Sequence, residues 1–177
     1  WVDLDNDNAI EVIINYLIKK NHTHIAYINI SEKYNFANER KSSFLKNLKL
    51  NKINFNPNYY ASVKLEEPEN SFEVIKKMLT KNKKISAIIC STEFSALSAI
   101  KACNDLNYKI GKDISIITFD GALVRDLSSP PITAVSFPVK ELGKRAINIL
   151  LDKNKKQTVN YLAKSEIIER GSVHIVS

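Results

Sequence analysis

Glycine is scarce in this chain, and its scarcity argues against several kinds of chemistry. The four residues Gly111, Gly121, Gly143 and Gly171 leave few points at which backbone could crowd against a phosphate. No Gly-x-Gly-x-x-Gly follows a strand-like run, and no Gly-Lys-Ser/Thr loop is present to cradle a nucleotide. The Gly-x-Ser-x-Gly elbow of hydrolases and the His-Glu-x-x-His of zinc peptidases are missing as well. Two cysteines make no disulfide framework. Cys90 ends an apolar run and Cys103 falls on a helical pattern, so both read as buried thiols in a reducing compartment. His22 and His24, with one residue between them and no cysteine near, fall short of a metal-ligand set. No apolar run approaches the roughly 20 residues of a membrane span, and the opening Trp1-Val2-Asp3 is unlike a secretory signal. The expectation is therefore a protein that is not an enzyme, holds no cofactor or metal and does not engage a membrane.

What is present is ordinary for a water-exposed globular protein: 44% hydrophobic and 25% charged residues in 177, enough to bury a full core. The net charge of +7 is mostly lysine scattered beside asparagine and isoleucine, a pattern of codon bias. Its densest runs, Lys81-Asn82-Lys83-Lys84 and Lys153-Asn154-Lys155-Lys156, fall between elements and read as solvated loops, not as a nucleic-acid face.

Helices alternate with short apolar strands, which predicts a parallel α/β sheet. Ile10, Ile13, Ile14, Leu17 and Ile18 line one face of a helix over about 7–20, with Asp5 and Asn6 placed to cap it. Ile25–Ile28, Ala87–Cys90 and Ile114–Phe119 read as buried strands, and 59–63 as a further one. Helices are predicted over about 37–48, 70–79 and 92–104. After Asp120 the rhythm changes: an irregular stretch with Gly121 and Pro130-Pro131, a strand over 133–137, a helix over 139–151 introduced by Pro138, and a last strand over 163–168.

Several stretches then stop being generic. Asp5-Asn6, the amphipathic helix and Asn21-His22-Thr23-His24-Ile25-Ala26-Tyr27-Ile28 resemble the Asp-Asn, helix, Gly-His, basic, Ile-Ala pattern of the LacI/GalR family of transcriptional regulators. Glu39-Arg40 followed by Phe44 is similar to that family's Glu-Arg-x-x-Gly-Phe helix, and Cys90-Ser91-Thr92-Glu93 to its Cys-x-Asn-Asp segment. Ile110 to Asp120 resembles Ile-Pro-x-Asp-Ile-Ser-Val-Ile-Gly-Phe-Asp. Pro131 to Val135, Glu141-Leu142-Gly143 and Ile168 to Ser172 match in the same order. Any one motif is weak; together they span almost the whole chain.

The resemblance implies a periplasmic-binding-protein-like type I fold: a nearly complete doubly wound parallel C-terminal lobe plus a partial N-terminal lobe. It divides the chain into 1–23 with 133–157, a remnant of the N-terminal lobe, and 24–132 with 158–177, the C-terminal lobe. The first helix is then expected to expose apolar surface. The implied function is ligand sensing in the cytoplasm, with a small sugar-like or nucleobase-like effector bound between lobes. The implied partners are operator DNA, reached through a helix-turn-helix absent from this chain, and a second copy in a homodimer. The effector-binding candidates are Asp5, Arg40, Thr92, Glu93 and Asp120.

Physical reasons accompany each candidate. Asp120 follows the strongest strand, where ligands of open α/β sheets bind, and a carboxylate accepts paired hydroxyls; its competing role is to cap the Gly121 turn. Arg40 offers a rigid fork of donors near a helix start, against an ordinary ion pair with Glu39 or Glu93. Asp5 either faces the cleft or caps its helix. Thr92 and Glu93 replace the family's Asn-Asp, with a shorter hydroxyl side chain at the first position. Glu66 and Phe137 are weaker candidates, better read as a loop acid and a core ring, and His22 matches a structural histidine. Two rival readings have other chemistries: an extracytoplasmic sugar-binding protein of a transporter, and a small doubly wound enzyme.

Overall fold

Apolar runs too short for helices fold here as interior strands, and the amphipathic segments between them cover both faces. The computed structural model describes residues 1–64, 70–119, 128–151 and 160–176. In chain order it contains β1 (Val2–Leu4), α1 (Asn6–Lys19), β2 (Ile25–Ile30), α2 (Asn35–Leu50), β3 (Tyr60–Val63), α3 (Asn70–Lys81), β4 (Ala87–Cys90) and α4 (Glu93–Asp105). These are followed by β5 (Ser115–Phe119), β6 (Thr133–Ser136), α5 (Val139–Leu151), β7 (Tyr161–Ala163) and β8 (Glu166–Ile168).

The main sheet has the order β3-β2-β4-β5-β6-β8, parallel throughout except for β8, which runs antiparallel to β6. Alternate residues of each strand serve opposite faces. Tyr27, Ile89 and Ile117 pack with Ile10, Ile13 and Leu17 of α1 and Phe44 and Leu48 of α2. Ala26, Ile28, Ile88 and Ile116 pack with Met78 and Leu79 of α3 and Ala96 and Ala99 of α4. The chain winds outward from β2 to β3, then returns past β2 to β4 and onward to β5 and β6. The loops leaving β2 and β4 therefore diverge, and a crevice opens at their carboxyl ends. Cys90 and Cys103 are buried free thiols in the second core; burial pushes the Cys103 thiol up to about 12 and that of Cys90 upward too.

Three expectations are corrected. The helix over 7–20 was assigned to a separate lobe with an exposed apolar stripe, but α1 buries Ala9, Ile10, Ile13, Ile14 and Leu17 completely against the main sheet and α2. An apolar stripe of that width has a ready partner in the sheet face beside α2, and burying each large side chain is worth about 1.5–3 kcal/mol. The strand over 133–136, expected with the remnant lobe, is a full member of the main sheet, its Thr133, Ala134 and Val135 opposite Ile117, Thr118 and Phe119. The single strand expected over 163–168 is two. β7 pairs in parallel with β1 in a separate two-stranded layer, whereas β8 pairs with β6. The break lies at Lys164-Ser165, where the Ser165 N–H donates to Asn8 Oδ1 at 2.9 Å and the Asp5 N–H donates to Ala163 O at 3.0 Å.

The exposed apolar stripe lies elsewhere. No residue of α5 is buried, and Val139, Ile147, Leu150 and Leu151 are 60%, 56%, 74% and 70% exposed. The small layer of β1, β7 and α5 joins the main sheet through three short links: Asp5, Phe137-Pro138 and Lys164-Ser165. Among the described residues no helix is long and apolar enough to cross a membrane.

Candidate functional site

The crevice at the carboxyl ends of β2, β4, β5 and β6 gathers most of the residues singled out from the sequence. Arg40 lies on the second turn of α2 and is only 7% exposed. Its Nε donates to Asn6 Oδ1 at 2.8 Å, and Asn6 Nδ2 donates in turn to Glu39 Oε2 at 2.8 Å. The start of α1 thus orients the guanidinium of α2. Three aromatic rings flank it: Phe119 at 4.0 Å, Phe36 at 5.1 Å and Phe137 at 5.9 Å, each ring centre measured from the guanidinium carbon. Burial lowers the pKa of Arg40, opposed by the pull of Tyr27 and Glu39, yet an arginine remains charged. Among the described residues the Nη groups meet no hydrogen-bond acceptor. A buried cation on ring faces is favourable.

Beneath Arg40 a polar network fixes the first turns of α2. Asn29, fully buried in β2, donates from Nδ2 to Ala37 O at 2.9 Å and to the Tyr60 hydroxyl at 3.2 Å. Its Oδ1 accepts from Tyr27 Oη at 3.1 Å, Ser91 Oγ at 3.0 Å and the Ile30 N–H at 2.9 Å. Tyr60 passes the chain outward to Glu32, which also binds Lys41 at 2.7 Å. Every polar atom of a buried amide is thereby satisfied, as a low-dielectric interior demands. Burial raises the Tyr27 and Tyr60 phenols well above their ordinary range, so both stay protonated donors.

The other candidates have visible structural duties. Asp5 caps α1, its Oδ1 accepting the Asn8 N–H at 2.9 Å. It also lines a cavity of about 370 Å³ with Asp3, Asn6, Glu39 and Leu162, between the small layer and the starts of α1 and α2. Thr92 caps α4 in a reciprocal box with Ser95: its hydroxyl accepts the Ser95 N–H at 3.1 Å, and Ser95 Oγ accepts the Thr92 N–H at 3.1 Å. Glu93 opens α4 and is half-buried. Asp120 and Glu66 lie outside the described residues. Phe119, immediately before Asp120, carries the Arg40 guanidinium on its ring, while Phe137 stacks on Phe119 at 6.1 Å and closes the same wall.

Three contributors were not found in the sequence: Asn6, Phe36 and Phe119. Asn6 reads as a cap beside Asp5, Phe36 as a loop residue, and Phe119 as part of an apolar run. The signal available was positional, since both rings flank stretches already tied to the ligand rim. His22, by contrast, is fully buried and structural, its Nδ1 on Ser86 Oγ at 2.9 Å and its Nε2 on His174 O at 3.0 Å.

With this geometry in view, the comparisons with known proteins are specific. Residues 14–173 match the family described as periplasmic binding protein-like domain. The HTH-type transcriptional regulator RegA of Clostridium saccharobutylicum is 30% identical over 177 residues, covering 97% of this chain and 52% of that protein. The HTH-type transcriptional repressor PurR of Histophilus somni is 32% identical over 151 residues, covering 84% of this chain and 45% of its own. Among solved structures, a sugar-binding transcriptional regulator of the LacI family from Escherichia coli, complexed with phosphate, aligns at TM-score 0.88 and 23% identity over 99% of this chain and 63% of that one. The chain thus spans about half the length of the curated relatives it matches. The parallel sheet and the crevice agree with the match: the chain belongs to the periplasmic binding protein-like domain family.

Proposed function

We propose that this chain senses a small polar effector at the rim centred on Arg40, and that the complete protein converts binding into a change of operator affinity. One observation carries the reading: a guanidinium almost fully removed from water lies on aromatic rings at the crevice and is oriented through Nε by Asn6. Asp120 is proposed as an acceptor beside it, Asp5 as a contact from the opposite bank of the crevice, and Thr92 with Glu93 as the edge supplied by α4. The role is binding without catalysis, in the cytoplasm, within a homodimer that reaches DNA through a separate head. An effector shifts the protein only by its differential affinity for two arrangements of the layers.

The test uses the full-length protein and an effector found by thermal-shift screening of sugars and nucleobases. A hydrogen bond to a charged group is worth about 1.5–3 kcal/mol. Arg40→Gln and Asp120→Asn are therefore expected to weaken effector binding about 10- to 100-fold by calorimetry. Unchanged affinity in both variants removes this site.

A further inference from the structure

We infer that the amino end of the main sheet, opposite the Arg40 crevice, binds a single strand of nucleic acid. Its bases lie in an aromatic groove beside β2 and β3, and its phosphates follow lysines of successive loops. This inference is independent of the effector reading.

Four segments build this end: 20–24 entering β2, 51–59 entering β3, 82–86 entering β4 and 106–114 entering β5. They lie side by side in sheet order. The Tyr59 hydroxyl is 3.4 Å from His24 Nδ1, the Ser86 N–H donates to His24 O at 2.9 Å, and the Ser115 N–H donates to Ser86 O at 2.9 Å. The segments carry Lys52, Lys83, Lys84, Lys109 and Lys112, all exposed, across three strand spacings, or about 14 Å. The Lys83-Lys84 pair reads in the sequence as part of a solvated loop; folding sets it between two other lysine-bearing segments. A lysine in a helix's last turn would answer the negative end of that helix, but all five lie beyond α2, α3 and α4. The acids here have other duties. Asp113 Oδ2 accepts the Lys109 N–H at 2.8 Å, Asp105 pairs with Lys76 at 2.9 Å and Glu169 with Lys20 at 2.6 Å. Such a row of cations attracts a polyanion.

The aromatic groove selects among polyanions. A cavity of about 470 Å³ opens between 23–24 and 52–59, with His24, Lys52, Asn54, Phe55, Pro57 and Tyr59 in its wall. Phe55 is 42% exposed, and Tyr60 holds its ring edge-on at 6.4 Å between centres. His24 and Tyr59 meet edge-on at 5.9 Å. Further along, Lys83 Nζ lies 5.8 Å from the ring centre of the half-buried Tyr108. Rings interleaved with lysines suit a single strand, whose base faces stack on aromatics while its phosphates meet cations. A duplex keeps its base faces stacked within itself. An acidic peptide engages the lysines and leaves the exposed ring unused.

The experiment measures fluorescence anisotropy of labelled oligo(dT) and oligo(U), each of about 12 nucleotides, with the full-length protein and with polyglutamate as a competitor lacking bases. The expected result is saturable binding of at least one oligonucleotide, against which polyglutamate of equal charge competes poorly. Lys83→Glu with Lys84→Glu is expected to weaken it at least about tenfold and to make the slope of log affinity against log salt shallower by about 1.4. Phe55→Ala is expected to weaken it about tenfold with the slope unchanged. Duplex binding through the separate head is expected to be the same in parent and variants, which distinguishes this surface from that head. The better-bound oligonucleotide identifies the sugar. Equal competition by polyglutamate, with Phe55→Ala silent, assigns the surface to an acidic polypeptide and overturns the inference. Single-strand binding that is absent, or unmoved by the lysine changes, overturns it as well.

Discussion

His22 links the end of α1 to the last residues of the chain, and its chemistry sets a pH dependence. Burial holds its pKa at about 4, below the ordinary 6.5, despite the hydrogen bond to His174 O. His174, whose Nδ1 lies 3.0 Å from Ser115 Oγ, is lowered by burial too. The unfolded chain therefore binds more protons than the folded one between these two values. Stability is complete above about pH 6.5 and declines as the pH falls toward 4, by a loss on the order of 3 kcal/mol for His22. Urea unfolding at pH 7.5, 6 and 5 should reveal this slope, and His22→Gln should flatten it. A slope identical in the variant would assign the acid sensitivity to other groups. Residue types were readable in advance here, but contacts were not. Arg40 was named as a ligand candidate from its place near a helix start together with the resemblance of Glu39-Arg40 and Phe44 to a family motif. Asn6, the residue that aims it, is 34 positions away in sequence, and no local pattern encodes such a meeting.

Elements were more legible than residues because each has its own periodicity. The strands and α3, α4 and α5 lie close to their expected positions, and α2 extends about two residues further at each end. The exceptions are three-residue strands, β1, β7 and β8, too short to show alternation and defined by partners distant in the chain. α4 illustrates a second limit. Thr92 was named for its correspondence to a ligand-facing position, whereas the structure exhibits its work as a cap. Loss of a threonine cap costs about 1 kcal/mol. Thr92→Val is thus expected to lower the urea midpoint accordingly, with Thr92→Ser restoring it; an unchanged midpoint would mean that the reciprocal bonds with Ser95 contribute nothing net.

At the scale of the whole molecule, the uneven burial of the five helices matters most. α1 to α4 each bury an apolar face in one of the two cores, but α5 leaves Ile147, Leu150 and Leu151 more than half exposed. Contiguous apolar surface of this kind drives association. The 177-residue chain by itself is expected to self-associate and to bind a hydrophobic dye, and Ile147→Lys with Leu150→Glu should suppress both in sedimentation and fluorescence measurements. A monodisperse, dye-silent parent chain would refute this. The lobe boundaries were the least legible feature of the sequence at this scale. Whether a helix such as α1 joins the sheet that follows it or the layer that precedes it depends on which apolar face is vacant, a property of the assembled sheet.

The narrow links between the two layers have a mechanical corollary. Phe137 lies one residue short of α5, separated from it by Pro138, and the same ring stacks on Phe119, on which the guanidinium rests. A group seated beside Arg40 is therefore expected to bear on that ring and, through Pro138, on the first turn of the 13-residue α5.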